Sequence, residues 1–211
     1  MLRPESVSAY RSPEIRFVDP GLHLMALDAA TDGDAVPPAI AAIVRGIGAR
    51  DTLPDFIAAT VRALHAVPID VDAARAVVAL SSEYASALYE LIEIESQQRV
   101  RWTEAQQCAE QGRDPYTTQD WTKAYRVSSL EGLAQLPALE HLEWDATPDS
   151  IIDLTHLAEH PSLVTVHLSG RCTNVRALET LPRLRRVFGC SHARVDDPTI
   201  VDRLRARVQF L

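Results

Sequence analysis

The fold is decided by Leu130-Glu131-Gly132-Leu133-Ala134-Gln135-Leu136-Pro137-Ala138-Leu139-Glu140-His141-Leu142-Glu143-Trp144, because two later stretches repeat its frame. Leu154, Leu157, His160, Pro161, Leu163, Val166 and Leu168 stand at the same offsets, 24 residues on. Val175, Leu178, Leu181, Pro182, Leu184 and Val187 follow after a further 21. The shared pattern is apolar-x-x-Leu-x-x-(Leu/His)-Pro-x-Leu-x-x-(Leu/Val), with Val127, Ile151 and Cys172 three residues ahead of the copies. A degenerate fourth copy runs from Val195 through Val201 and Leu204 to Phe210 and reads as a cap. A unit of this length cannot bury its apolar face alone. Successive copies must stack and share one core.

This frame resembles the leucine-rich repeat family, in its short bacterial type, over residues 123–211. The resemblance implies a short solenoid whose Leu-x-x-Leu-x-Leu segments form parallel strands on a concave face. The Leu-x-x-Leu ahead of each strand forms a short helix or 3₁₀ turn on the convex side. Where the family carries Asn after the last strand residue, this chain has Thr147, Arg171 and His192, so its turns need other hydrogen-bond partners. Residues between the buried positions then point to the concave face. They form three columns: His141, Thr165 and Arg186; Glu143, His167 and Phe188; and Asp145, Ser169 and Cys190. These nine are the candidate partner-binding residues. Arg and aromatic anchors among them suit recognition of a protein.

Upstream, residues 36–122 read as a helical region and a polar connector. Ile40, Ile43, Val44 and Ile47 recur at helical spacing, and Asp51 or Thr52 caps a second helix with Pro54 in its first turn. That helix stops before Pro68, and Asp70 or Asp72 starts the next. Val77, Leu80, Tyr84, Leu88, Leu91 and Ile94 read as one buried helical stripe, which the Ser81-Ser82 pair can break in two. Val100, Trp102 and Cys108 extend the stretch less regularly, and 112–122 is the connector. Residues 1–35 read as an irregular or weakly stranded lead-in. The expected fold class is therefore α+β, an N-terminal helical region capping the first repeat of a C-terminal solenoid with parallel strands.

Composition bounds the function. The chain has 211 residues, 46% of them apolar, and a net charge of −8 from 21 basic and 29 acidic side chains. The acidic balance argues against general nucleic-acid binding. Charge is uneven: residues 121–170 carry 2 basic and 7 acidic groups, residues 171–211 carry 9 and 4. Three cysteines without CxxC spacing fit a reducing compartment. The first residues lack the order of an export signal, and no apolar run is long enough for a membrane span. A cytoplasmic, bacterial protein without membrane partners or cofactors is expected.

The chemical motifs are weak. Cys172, Cys190 and His192 lack the spacing of a closed metal site, and Cys172 falls at an apolar frame position. Cys190 with His167 suggests a nucleophile and base, with no third group to orient them. His160 reads as a partly buried helix residue. Asp28, Asp32 and Asp34 around Gly33 lack the late Glu of a calcium loop and read as a solvated turn. Arg203, Arg205 and Arg207 alternate, which in a strand puts them on one face, either as a protective edge or toward an acidic partner. The favoured function is a non-enzymatic protein-binding module: an adaptor, inhibitor or immunity-type protein. The alternatives are a subunit that homodimerises or docks through its helical region, with the Tyr84–Ile94 stripe as dimer face, and a Cys190-dependent enzyme.

Overall fold

The computed structural model describes residues 14–31, 35–82, 86–100, 126–147, 149–189 and 194–210. Strand β1 (Glu14–Ile15) leads into helix α1 (Pro20–Ala30). Asp19 caps α1 by accepting the Leu22 N–H, and Pro20 supplies a preformed first turn. Every residue from Gly21 to Leu27 is buried. The irregular lead-in expected over residues 1–35 is therefore corrected between Pro20 and Ala30. Burial on every side from Gly21 to Leu27 leaves no amphipathic stripe to mark this helix in the sequence.

Helices α2 (Pro38–Gly46) and α3 (Leu53–His65) follow the sequence spacing, and Thr52 caps α3 through the Asp55 N–H. Strand β2 (Ile69–Asp70) pairs antiparallel with β1, and Asp70 caps helix α4 (Val71–Ala76). The chain then enters strand β3 (Ala79–Leu80) before helix α5 (Ala87–Arg99). The stripe expected from Val77 to Ile94 is thus not one helix. Val77 and Leu80 are buried outside α4, Leu88 is buried on α5, and Ile94 is 51% exposed. Leu80 has a place in the sheet beside Leu142, and that pairing outweighs helical continuation. Tyr84, Trp102 and Cys108 lie outside the described residues.

The second half alternates short strands with short helical turns. Strand β4 (Arg126–Val127) precedes the 3₁₀ turn Leu133–Gln135, then β5 (His141–Glu143), β6 (Asp145–Ala146) and β7 (Ile151–Asp153). The 3₁₀ turn Leu154–Leu157 leads to β8 (Thr165–His167) and β9 (Arg171–Thr173). The longer turn Val175–Thr180 leads to β10 (Arg186–Phe188) and β11 (Arg194–Val195), and helix α6 (Pro198–Leu204) to β12 (Gln209–Phe210). The order β12-β10-β8-β5-β3 forms a five-stranded sheet, all neighbours parallel. A second parallel sheet runs β11-β9-β7, and β4 pairs parallel with β6. The class is α+β with parallel strands.

The frame positions lie in the core. Leu130, Leu133, Leu136, Leu139, Leu142, Leu154, Leu157, Leu163, Val166, Leu178, Leu181 and Val187 are all at most 1% exposed. Side chains from neighbouring units satisfy the turns between them. Thr147 Oγ1 donates to Val127 O, and Ser162 Oγ donates to Pro137 O. His160 is corrected from a helix residue to a buried turn residue. Its Nδ1 accepts the Ser162 N–H, which leaves Nε2–H to donate to Leu136 O at 3.2 Å. Burial holds its imidazole below the ordinary histidine range.

The alternating arginines do not share a strand face. Arg203 lies in α6 and holds the Glu179 carboxylate through two hydrogen bonds. Arg207 donates to the Leu178 and Glu179 carbonyls, and Arg205 sits 5.8 Å over the Phe210 ring. Packing at the chain's end uses all three.

Asp19 joins the two halves. Its Oδ1 caps α1, while Oδ2 accepts from Ser128 N, Ser128 Oγ and Ser129 N at 2.8, 2.6 and 3.1 Å. Gly21 allows the approach: a Cβ there would stand 2.1 Å from the Arg126 carbonyl oxygen. One continuous apolar core runs from Ile15 to Val208.

Candidate functional site

The five-stranded sheet turns one face inward and one outward. Leu80, Leu142, Val166, Val187 and Phe210 stand in one register row, and the first four are buried. Ala79, His141, Thr165, Arg186 and Gln209 form the row on one side of it. Glu143, His167 and Phe188 form the row on the other. Strand alternation directs these flanking rows to the opposite face from the buried one. Two of the three expected columns are therefore assembled side by side.

The third column is diverted. Asp145 opens β6 and stands in register with Arg126 of β4. Ser169 Oγ accepts the Ala146 N–H at 3.2 Å, so it is tied to β6. Cys190 lies outside the described residues, as does His192. Cys172 is buried at its frame position and its Sγ donates to Ser169 O.

The assembled rows line a groove of about 330 Å³ bounded by Leu80, Ser81, Glu143, Thr165, His167 and Phe188. Glu143 is its centre. Ser81 Oγ donates to Oε2 at 2.8 Å, and His167 Nδ1 lies 2.8 Å from Oε1. An ionised carboxylate only accepts, so the proton of a neutral His167 sits on Nδ1 and Nε2 presents a lone pair. The His167 ring is tilted against Phe188, with centroids 6.2 Å apart. Gly189 makes room for that ring. Its φ is +76°, and a Cβ would stand 2.2 Å from Leu168 O and 2.6 Å from His167 Cδ2. Thr165 Oγ1 is buried with no hydrogen-bond partner among the described residues.

Ser81 and Leu80 escape the sequence reading because they sit inside a stretch with helical spacing. The available signal was Ser81-Ser82, which breaks that stretch just after an apolar residue in phase with Leu142. Glu143 supplies the orienting group that the Cys190–His167 reading lacked. Among the described residues, no hydroxyl or thiol is hydrogen-bonded to His167 Nε2. Nor do the described residues bring together three or more His, Cys, Asp or Glu placed to hold a metal. Among them, no helix is long and apolar enough to cross a membrane. Comparison with protein-family models, curated proteins and solved structures finds no match.

Proposed function

We propose that this chain is a non-enzymatic protein-binding module: a short solenoid of the leucine-rich-repeat kind, capped by its helical half, that grips a partner with the outward face of β3, β5, β8 and β10. One observation carries the reading. Side chains from four parallel strands converge on a groove holding a carboxylate, an imidazole and an aromatic ring. A hollow with an aromatic wall and a few fixed polar groups is what an anchoring side chain of a partner fills. Arg186, exposed beside Thr165 on the same face, and Phe188 at the groove wall are the outer anchors. An adaptor, an inhibitor or an immunity-type protein uses such a face in the same way. The dimer reading has a smaller surface to draw on, since Leu88 and Ile92 of α5 are buried and Ile94 alone among its large apolar side chains is half exposed.

The test begins with a partner captured from the native host, identified by mass spectrometry and purified. Arg186→Glu combined with Phe188→Ala should weaken its binding by about 100-fold or more, since two anchors contribute roughly 1.5–2 kcal/mol each. The thermal midpoint should stay within a few degrees of the parent. Unchanged affinity in the folded double variant refutes the face.

A further inference from the structure

We infer that the groove between β3, β5, β8 and β10 is a receptor for an arginine side chain of a protein partner; this rests on the binding reading above. Besides the Thr165 hydroxyl and the His141 ring, the chemistry left over in the groove is accepting. Glu143 spends one lone pair of each oxygen on Ser81 and His167, and a carboxylate has further sites on both. His167 Nε2 adds an acceptor when the ring is neutral. The Phe188 ring offers a π face, which attracts a planar cation. Ala79 and the edge of the Phe188 ring supply apolar surface for a methylene stem.

Two details favour a donor-only cation over other ligands. Among the described residues no Arg or Lys pairs with Glu143, whose neighbours there are the Ser81 hydroxyl and the His167 ring. The Glu143 side chain is only 25% exposed and that of His167 41%, so the carboxylate is partly withdrawn from water while still within reach. An anion would meet the carboxylate, and an apolar side chain would strip its hydration without repaying it. A guanidinium supplies several N–H donors in a planar fork and can stack on Phe188 while bonding Glu143. A lysine ammonium satisfies the charge without the stacking and fits less well. The protein's net charge of −8 adds long-range attraction for a basic partner surface.

The experiment uses the full chain and the probe Nα-acetylarginine methylamide, followed by histidine ¹H–¹⁵N long-range correlation at mildly alkaline pH. The probe should shift the His167 Nε2 resonance saturably. The citrulline counterpart, nearly the same shape without the charge, should bind at least about tenfold more weakly. Glu143→Gln should weaken the arginine probe by at least about tenfold, and Phe188→Leu, which keeps the carboxylate, by several-fold. Phe188→Leu provides the same test if Glu143→Gln does not fold. Absence of a saturable shift at the highest soluble concentration overturns the inference, as does an equal response to citrulline. If the probe fails while Arg186→Glu with Phe188→Ala still abolishes partner binding, the arginine receptor falls and the binding face stands. If both fail, both fall.

Discussion

Replacing Asp19 by alanine tests whether the two halves fold as one body. Asp19 is 4% exposed and its carboxylate accepts four hydrogen bonds: one caps α1 and three come from Ser128 and Ser129. Loss of an N-cap costs about 1 kcal/mol. Hydrogen bonds to a charged acceptor contribute roughly 1.5–3 kcal/mol each, but Ser128 is exposed enough for water to recover part of the loss. The expected destabilisation is about 3–4 kcal/mol, a fall of about 6–16 °C in thermal midpoint for a domain of this size. Asp19→Asn keeps an oxygen for the Leu22 N–H and turns an amide NH₂ toward the serine donors. It should recover about 1 kcal/mol relative to alanine, the part that belongs to the cap. Urea unfolding followed by both far-ultraviolet dichroism and tryptophan fluorescence supplies the readout. The parent should unfold in one transition with coincident probes, and both variants should keep its m-value. A loss under about 1 kcal/mol in Asp19→Ala, or two separated transitions in the parent, refutes the argument that this carboxylate ties the halves together.

Three further perturbations follow, one at a buried histidine and two at glycines. Burial holds the His23 and His160 imidazoles below the ordinary range near 6.5. Between the folded and unfolded values the unfolded chain binds more protons, so stability is full above about pH 6.5 and falls as pH drops through that window. His160→Leu should flatten the stability–pH slope between pH 7 and 5 by up to about 1.4 kcal/mol per unit, read from urea midpoints across that range. An unchanged slope contradicts the assignment. Gly189→Ala should cost about 2–3 kcal/mol, from a positive φ and a carbonyl 2.2 Å from the new methyl, and should displace the His167 ring. Gly46→Ala, at the end of α2 with open space around the new methyl, should instead stabilise by about 0.5–1 kcal/mol. Equal effects from the two substitutions, measured by thermal melts, remove the geometric argument.

Parallel strands and helices together were legible in the sequence because their signals are local. The leucine frame marks positions that face one core, and Thr52 and Asp70 mark helix starts by side-chain chemistry alone. What was not legible depends on tertiary contact. Helix α1 is buried on every side from Gly21 to Leu27, so periodicity cannot separate it from a buried strand. Leu80 has helical spacing from Val77 and from Leu88's neighbours, yet the sheet edge beside Leu142 claims it. His167 and Glu143 were each marked as outward-facing, but their pairing needed the register of β5 against β8. Ser81 needed β3, a strand only two residues long, to be seen at all. The turn partners also lie in different units: Asp196 accepts from Asn174 and Val175, more than twenty residues back.

One regularity explains how the turns manage without the asparagine expected by resemblance. Ser129, Asp153 and Asp197 each accept the N–H two residues on, and each stands twelve residues ahead of the first residue of a sheet strand: His141, Thr165 and Gln209. Asn174 holds the same place ahead of Arg186, and its N–H is taken by Asp196 of the following unit. A short polar acceptor thus starts three of these turns, and the residue twelve further on starts a strand of the five-stranded sheet in all four. Asp70 plays the same part before α4, with β3 reached sooner because α4 is brief. The helical half therefore contributes a strand unit of its own to the edge of the sheet, and with it Ser81, one wall of the groove. The groove is therefore built across the joint that Asp19 secures. A fragment beginning at β4 would keep Glu143, His167 and Phe188 but lose Leu80 and Ser81. By the argument made for the arginine probe, such a fragment should bind it more weakly than the full chain even if it folds.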